Sequence, residues 1–419
     1  MKQRLNRQII LLSIGASLLL STQFLSARDG LRERPRDFTP QQRGDNPNNR
    51  FNPRNNNPRR NNNNNQIDSN ETNSAEKIAL GGALFNDTSL SLTKTQSCAS
   101  CHNPTQAFTD NRENSVHKSV SVGDDGVSLG DRNAPMVTYS AFSPAFSATR
   151  NGFRGGQFWN GSAKNLTEQA KAPFLNPVEM QMPDAQSVVA RVSENSSYIE
   201  QLQAIYGENI LENEEEAFTA IANAIASFEK SSAFATFDSK FDKSRARTAT
   251  LTEQERLGQQ LFRQNRCVRC HHDRGREPLF TNFRYINLGI PKNSEVRVAN
   301  GKDADFVDHG LLDNPNVTGN RADGRFKVPS LRNVAVTAPY MHNGKFKNLK
   351  TVVHFYNTRD VAGAINPETS LPWEASEVEA NKVTRNRIGN LGLSDSEEDA
   401  IVAFLKTLTD ERYESVVLP

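Results

Sequence analysis

The chain has 419 residues, 36 % hydrophobic and 23 % charged, which leaves room for two modest domains, each with a core of its own. Its formal charge of +2 includes three basic residues near the N-terminus, Lys2, Arg4 and Arg7, so the remainder is close to neutral and nothing in the balance points to nucleic acid as a partner. Those cations lead into an apolar run from Ile9 to Leu20, and Leu25-Ser26-Ala27 precedes Arg28. The pattern reads as a secretory signal peptide over 1–27 and predicts export to the periplasm or another extracytoplasmic space. The run is short for a membrane span; left uncleaved, it becomes a tether. Residues 28–73 are rich in Asn, Arg and Pro and nearly devoid of apolar side chains, so they are expected to be disordered. Up to Asn65 this segment sets nine arginines against four acids, a solvated spacer or a basic tether for an acidic surface.

Globular patterning begins at Ser74. Lys77 to Phe85 predicts a short helix leading to Cys98-Ala99-Ser100-Cys101-His102. A second copy, Leu257-Gly258-Gln259-Gln260-Leu261-Phe262, precedes Cys267-Val268-Arg269-Cys270-His271, which makes an internal repeat. C-x-x-C-H is the attachment signature of a c-type haem: two thiols reach the two vinyl groups of one porphyrin, and the following His turns its imidazole onto the iron. A redox dithiol, or one zinc site built from both pairs, would need no His after each pair. The motifs use all four cysteines of the chain, so two covalently bound haems c are expected, on Cys98, Cys101 and His102 and on Cys267, Cys270 and His271. Haem c is attached outside the bacterial cytosol, in agreement with the leader.

Each copy has a later amphipathic helix. Ala217, Ile221, Ala224, Ile225 and Phe228 form one stripe, and Ile401, Phe404, Leu405 and Leu408 the other. Capping boxes at Thr252-Glu253-Gln254-Glu255 and Ser394-Asp395-Ser396-Glu397 place the starts of two helices. Strand signals are few. The fold expected is mainly α: two tandem cytochrome c-like domains, 74–245 and 246–419, with long loops and little β.

Between these landmarks lie Arg132-Asn133-Ala134-Pro135, Gln157-Phe158-Trp159-Asn160-Gly161, Glu168-Gln169-Ala170, Asn176-Pro177-Val178-Glu179-Met180, Val328-Pro329-Ser330-Leu331-Arg332-Asn333-Val334 and Thr337-Ala338-Pro339-Tyr340-Met341-His342-Asn343-Gly344. Together with the haem motifs, in this order, they resemble the di-haem cytochrome c peroxidase and MauG family from about Ser74 to Thr409. The resemblance implies that the N-terminal haem reacts with hydrogen peroxide and the C-terminal haem transfers electrons, with His102 and His271 as proximal iron ligands. It places Trp159 between the haems and Gln169 and Glu179, at ten-residue steps, in the peroxide pocket. A carboxylate there can move a proton between the two peroxide oxygens. The resemblance also implies a calcium ion held by Asn133 and the carbonyls of Thr337 and Pro339, a donor set that suits a hard cation.

Two departures from the family's pattern bear on function. Many of its peroxidases cap the first iron with a loop His, whereas the corresponding stretch here, Ser121-Val122-Gly123-Asp124-Asp125-Gly126, has none and His117 is offset. Typical peroxidases also place a Met after the counterpart of Leu349 to Phe355; this chain has Tyr356, as MauG does, with Met341 as the alternative ligand. Phenolate is harder than thioether and favours ferric iron. The main reading is a peroxidase drawing electrons from a small cytochrome c or copper protein. The alternative is MauG-like oxidation of residues on a partner protein. A third reading, a di-haem electron carrier, has no use for Gln169 and Glu179. His272, His309, His354 and Trp373 are expected at the surface or in packing.

Overall fold

A computed structural model describes residues 74–417, apart from 304 and 385–387. The leader and the Asn/Arg/Pro-rich segment, with the export and disorder expectations attached to them, lie outside the described residues. The helices in chain order are α1 (Ala75–Asn86), α2 (Cys98–Cys101), α3 (Leu166–Leu175), α4 (Ala185–Val192), α5 (Ser196–Tyr206), α6 (Glu214–Glu229), α7 (Lys240–Arg245), α8 (Glu253–Gln264), α9 (Ser294–Ala299), α10 (Leu349–Thr358) and α11 (Asp395–Lys406). Strands among the described residues form three two-stranded antiparallel ribbons: β1 (Ser147–Thr149) with β2 (Gly152–Arg154), β3 (Tyr285–Ile286) with β4 (Phe326–Lys327), and β5 (Ile365–Asn366) with β6 (Leu371–Pro372). No described helix is long and apolar enough to cross a membrane. The fold is therefore mainly helical with little sheet, as expected.

Local chemistry starts the helices where the sequence says it should. Ser74 accepts from the Lys77 N–H ahead of α1, and complete capping boxes at Thr252/Glu255 and Ser394/Glu397 open α8 and α11. Three glutamates in the first turn of α6 meet the positive end of its dipole. The repeat then becomes a packing rule: α1 lies against α6, and α8 against α11. A Cβ on Gly81 would come within 1.9 Å of the Ala224 carbonyl oxygen, and one on Gly258 within 1.8 Å of that of Ala400. Only glycine lets the two backbones of each pair approach this closely. The Phe one turn further along, Phe228 or Phe404, is next in contact.

Two main apolar clusters result. One draws on residues 80–234 and the other on residues 241–408. Phe85, Phe108, Phe228 and Phe234 pack largely edge to face in the first, matched by Phe241, Phe262, Phe280 and Phe404 in the second. Full burial of each such ring contributes roughly 1.5–3 kcal/mol. Between the clusters, Arg332 is fully buried: its guanidinium pairs with Asp242, donates to the Pro278 carbonyl at 2.8 Å, and lies over Tyr139, Phe237 and Phe280. Asn333 donates to Asp410 at 2.9 Å, and Tyr139 donates to the same carboxylate at 2.5 Å. The Leu331-Arg332-Asn333 stretch is thus a polar joint between early, middle and late segments of the chain.

Candidate active site

Each C-x-x-C-H motif follows the first helix of its pair. Cys98 to Cys101 form α2, and a 3-10 turn over Cys267–Arg269 carries the second motif. The backbone N–H of each following His returns to the carbonyl of the first cysteine, at 2.8 Å for His102 and 2.9 Å for His271. All four thiols are free. His102 Nδ1 lies 3.0 Å from the Phe108 carbonyl and His271 Nδ1 2.8 Å from that of Phe280. A carbonyl only accepts, so Nδ1 carries the proton in both rings and Nε2 keeps the lone pair, the tautomer a metal needs. Burial lowers both imidazole pKa values, that of His271 to about 4, which keeps the rings neutral.

The second motif opens on a cavity whose body is apolar, with Phe262, Leu349, Val353 and Leu405 among its walls. Cys267, Cys270 and His271 line it, as do Tyr356 of α10 and Met341. The half-buried Tyr356 phenol makes no hydrogen bond to any described residue and faces the cavity. Burial and the two neighbouring thiols push its pKa up, so it stays neutral until a cation draws off the proton. Lys327 and His342 also line the cavity. Lys327 Nζ donates to the Gly156 carbonyl at 2.6 Å, and burial lowers its pKa to about 7. The His342 ring stacks on Phe326 at 3.5 Å, and its buried Nε2 has no partner. A haem is an apolar plate with two carboxylates at one edge. An apolar cavity with two thiols, a neutral imidazole, an unpartnered phenol and a buried cation fits that group.

At the first motif, Cys101 Sγ is 3.0 Å from Gln96 Nε2 and 3.1 Å from an Arg112 nitrogen; the same nitrogen reaches the Val122 carbonyl at 3.1 Å. Val122 belongs to a tight hairpin in which Gly123 N–H donates to Ser128 and Gly130 N–H to Ser121. Two acids pin this stretch. Asp124, 5 % exposed, accepts from the Ser91 hydroxyl at 2.6 Å, the Thr93 N–H at 2.5 Å and the Thr95 hydroxyl at 2.8 Å. Asp125 accepts from the N–H groups of Val127 and Ser128, an Asx-type turn. His117 is exposed on a neighbouring turn with φ 54°.

The Asp124 N–H donates to the Glu179 carbonyl at 2.8 Å, so the pinned hairpin lies directly against the turn that carries Glu179. The charge of Glu179 disfavours ionisation of both Cys98 and Cys101, so its carboxyl is within electrostatic reach of the first motif. Burial pushes the Glu179 pKa up to about 7. Gln169 is half-buried on α3, and its carboxamide makes no hydrogen bond to any described residue. Trp159 lies on the wall of the second cavity, with its Nε1–H donated to the Asn133 carbonyl at 2.8 Å. Asn133 in turn donates its N–H to the His342 carbonyl at 2.7 Å and its amide group to the Ser119 carbonyl at 3.1 Å. It therefore sits against the turn that follows Thr337 and Pro339.

The remaining singled-out residues are structural. His309 pairs with Asp323, His354 with Glu398, and Trp373 packs on Phe346 and Phe355. Three groups at the sites escape sequence reasoning. Lys327 and His342 are lone residues inside longer stretches, without a spacing to mark them. Glu229 ends α6 beside Cys98, where burial raises its pKa to about 8; its only signal is a charge at the end of an apolar stripe.

A family model described as di-haem cytochrome c peroxidase matches residues 75–250. The chain is 47 % identical over 347 residues to the methylamine utilization protein MauG of Paracoccus denitrificans, across 81 % of this chain and 90 % of that one. It is 32 % identical over 345 residues to the cytochrome c551 peroxidase of Nitrosomonas europaea, across 81 % of each. The fold is similar to the crystal structure of the diheme peroxidase BthA from Burkholderia thailandensis, with a TM-score of 0.71 and 28 % identity over 82 % of this chain and 88 % of that one.

Proposed function

Because the chain belongs to the di-haem cytochrome c peroxidase and MauG family, we propose that it is an exported, periplasmic oxidoreductase that reduces hydrogen peroxide to water. In this reading residues 74–245 form the peroxidatic domain and residues 246–419 the domain through which a small cytochrome or copper protein delivers electrons. Haem c bound at each motif supplies iron, which takes up peroxide at the first site and electrons at the second. The chain's own residues do the rest. Glu179 takes the proton from one peroxide oxygen and returns it to the other as that oxygen leaves as water, the work of a general acid–base group. Gln169 orients the peroxide through its carboxamide. Trp159 offers an oxidisable ring between the two sites, and Asn133 with the carbonyls of Thr337 and Pro339 holds a calcium ion through oxygen donors.

The observation that carries this reading is Glu179: a half-buried carboxyl, its pKa raised to about 7, whose charge acts on the thiols of the first motif. A pure electron carrier has no task for it. The test is turnover. Holoprotein with two haems c per chain, counted by pyridine haemochrome and intact mass, should consume hydrogen peroxide at two electrons per molecule from a small-molecule donor. One haem per chain, haem extractable by acid acetone, or no peroxide consumption contradicts the proposal.

One observation favours a second reading, oxidation of residues on a partner protein in the manner of MauG. Tyr356 faces the second cavity without a hydrogen bond, and the hairpin beside Glu179 offers no histidine. A phenolate ligand would hold the second iron ferric, which suits storing oxidising equivalents better than accepting electrons.

A further inference from the structure

The charge of the molecule is distributed against its sum. Residues 1–73 carry 12 of the 50 basic and 6 of the 48 acidic side chains, which leaves 38 and 42, a net charge of −4, for 74–419. Within that acidic body, the stretch 263–284 carries six arginines against Asp273 and Glu277. This is the stretch that holds the second haem motif.

The arginines converge around the half-buried Cys270. Arg269 and Arg266 line the mouth of the second cavity, and the Arg269 carbonyl accepts from Asn282 Nδ2 at 3.1 Å. Asn282 Oδ1 takes the Arg284 N–H at 2.9 Å, and an antiparallel bridge sets Arg284 opposite Arg154 of β2. Like charges are thereby forced together. Burial and the Arg284 charge lower the pKa of Arg154. Arg263 is paired with Asp273 at 2.6 Å, whereas Arg154, Arg274, Arg276 and Arg284 make no ion pair among the described residues. Repulsion of this kind costs free energy in the isolated protein and is offset only when an opposite charge arrives. Cys267 and Cys270 themselves line the second cavity.

The geometry points to a docking surface for an acidic redox protein, one that presents a cluster of carboxylates around its own redox centre, on the Arg154, Arg274 and Arg284 rim of the second site. The inference rests on the reading of the second motif as the site through which electrons pass. It adds the sign of the partner: an acidic protein is steered to the basic rim and away from the rest of the acidic body, and a basic one is not.

The test uses the full holoprotein and two small redox proteins of opposite charge, an acidic plant-type ferredoxin and a basic mitochondrial-type cytochrome c. Binding is measured by calorimetry at low and at physiological salt. The ferredoxin should bind with an affinity that falls as salt rises, and the cytochrome should bind at least about tenfold more weakly. R274E/R284E should weaken ferredoxin binding by about tenfold or more, and R274Q/R276Q should weaken it less. Both variants should keep two haems and an unchanged peroxide reaction with a small-molecule donor. Equal or tighter binding of the basic protein, or ferredoxin binding that ignores both variants, overturns the proposal. So does tighter binding of anionic phosphatidylglycerol vesicles than of ferredoxin at physiological salt, lost in R274E/R284E, because the rim then serves a lipid surface. Intact ferredoxin binding without any peroxide consumption leaves the rim in place and sinks the catalytic reading instead.

Discussion

In the proposed function Glu179 carries the proton transfer, and that role can be tested by pH. Burial raises its pKa to about 7, so below that pH the group is protonated and cannot take a proton from peroxide. The rate of the optical change on mixing holoprotein with hydrogen peroxide should therefore rise with pH and level off above about 7. Glu179→Gln should remove that inflection and slow the step about a hundredfold or more, with both haems retained; an unchanged rate would assign the proton transfer elsewhere. In the second reading Tyr356 sets the character of the second site. Tyr356→Met should raise the reduction potential of the second haem, and Tyr356→Phe should change its EPR spectrum. A spectrum untouched by Tyr356→Phe would make Met341, which lines the same cavity, the ligand. At this scale the sequence was legible where chemistry imposes a spacing, at C-x-x-C-H twice; the ten-residue steps from Trp159 to Gln169 to Glu179 carry meaning only through the family resemblance. Lys327 and His342 were illegible because a lone cation and a lone imidazole become site residues only when the fold closes a cavity over them.

Among elements, the repeated helix pair is the organising unit. α1 with α6 and α8 with α11 touch at a glycine, and each pair flanks one haem motif. Gly81→Ala and Gly258→Ala should each force backbones apart that a Cβ cannot enter, at a cost of about 1–3 kcal/mol. The measurement is denaturant unfolding of the holoprotein. Stability equal to wild type in either variant would mean that the close approach relaxes without loss. Helix starts were readable because Thr252/Glu255 and Ser394/Glu397 satisfy N–H groups that every helix leaves open. The ribbons were not, since strands of two or three residues carry no alternation to detect. Nor was the hairpin at 121–130. Its shape is set by Asp124 reaching Ser91, Thr93 and Thr95 about thirty residues earlier, a long-range bond that local propensity does not encode.

In the molecule as a whole, two apolar cores, a polar joint at Arg332 and Asn333, and an asymmetric charge belong to one oxidoreductase. The cores follow from repeated stripes visible in the sequence. The joint does not, because Arg332 and Asp242 are ninety residues apart and a buried arginine looks like any other charge until Tyr139, Phe237 and Phe280 surround it. The proposal rests on unlike sites: a first site beside a hairpin that carries no histidine and is locked by Asp124 and Asp125, and a second site facing Tyr356. The most direct measurement is a hydrogen peroxide titration of the fully ferric holoprotein, without prior reduction, followed by optical and EPR spectra. The account predicts one high-spin and one low-spin haem at rest, and loss of the high-spin signal on adding peroxide. Two low-spin haems, inert to peroxide until one electron is added, would contradict it.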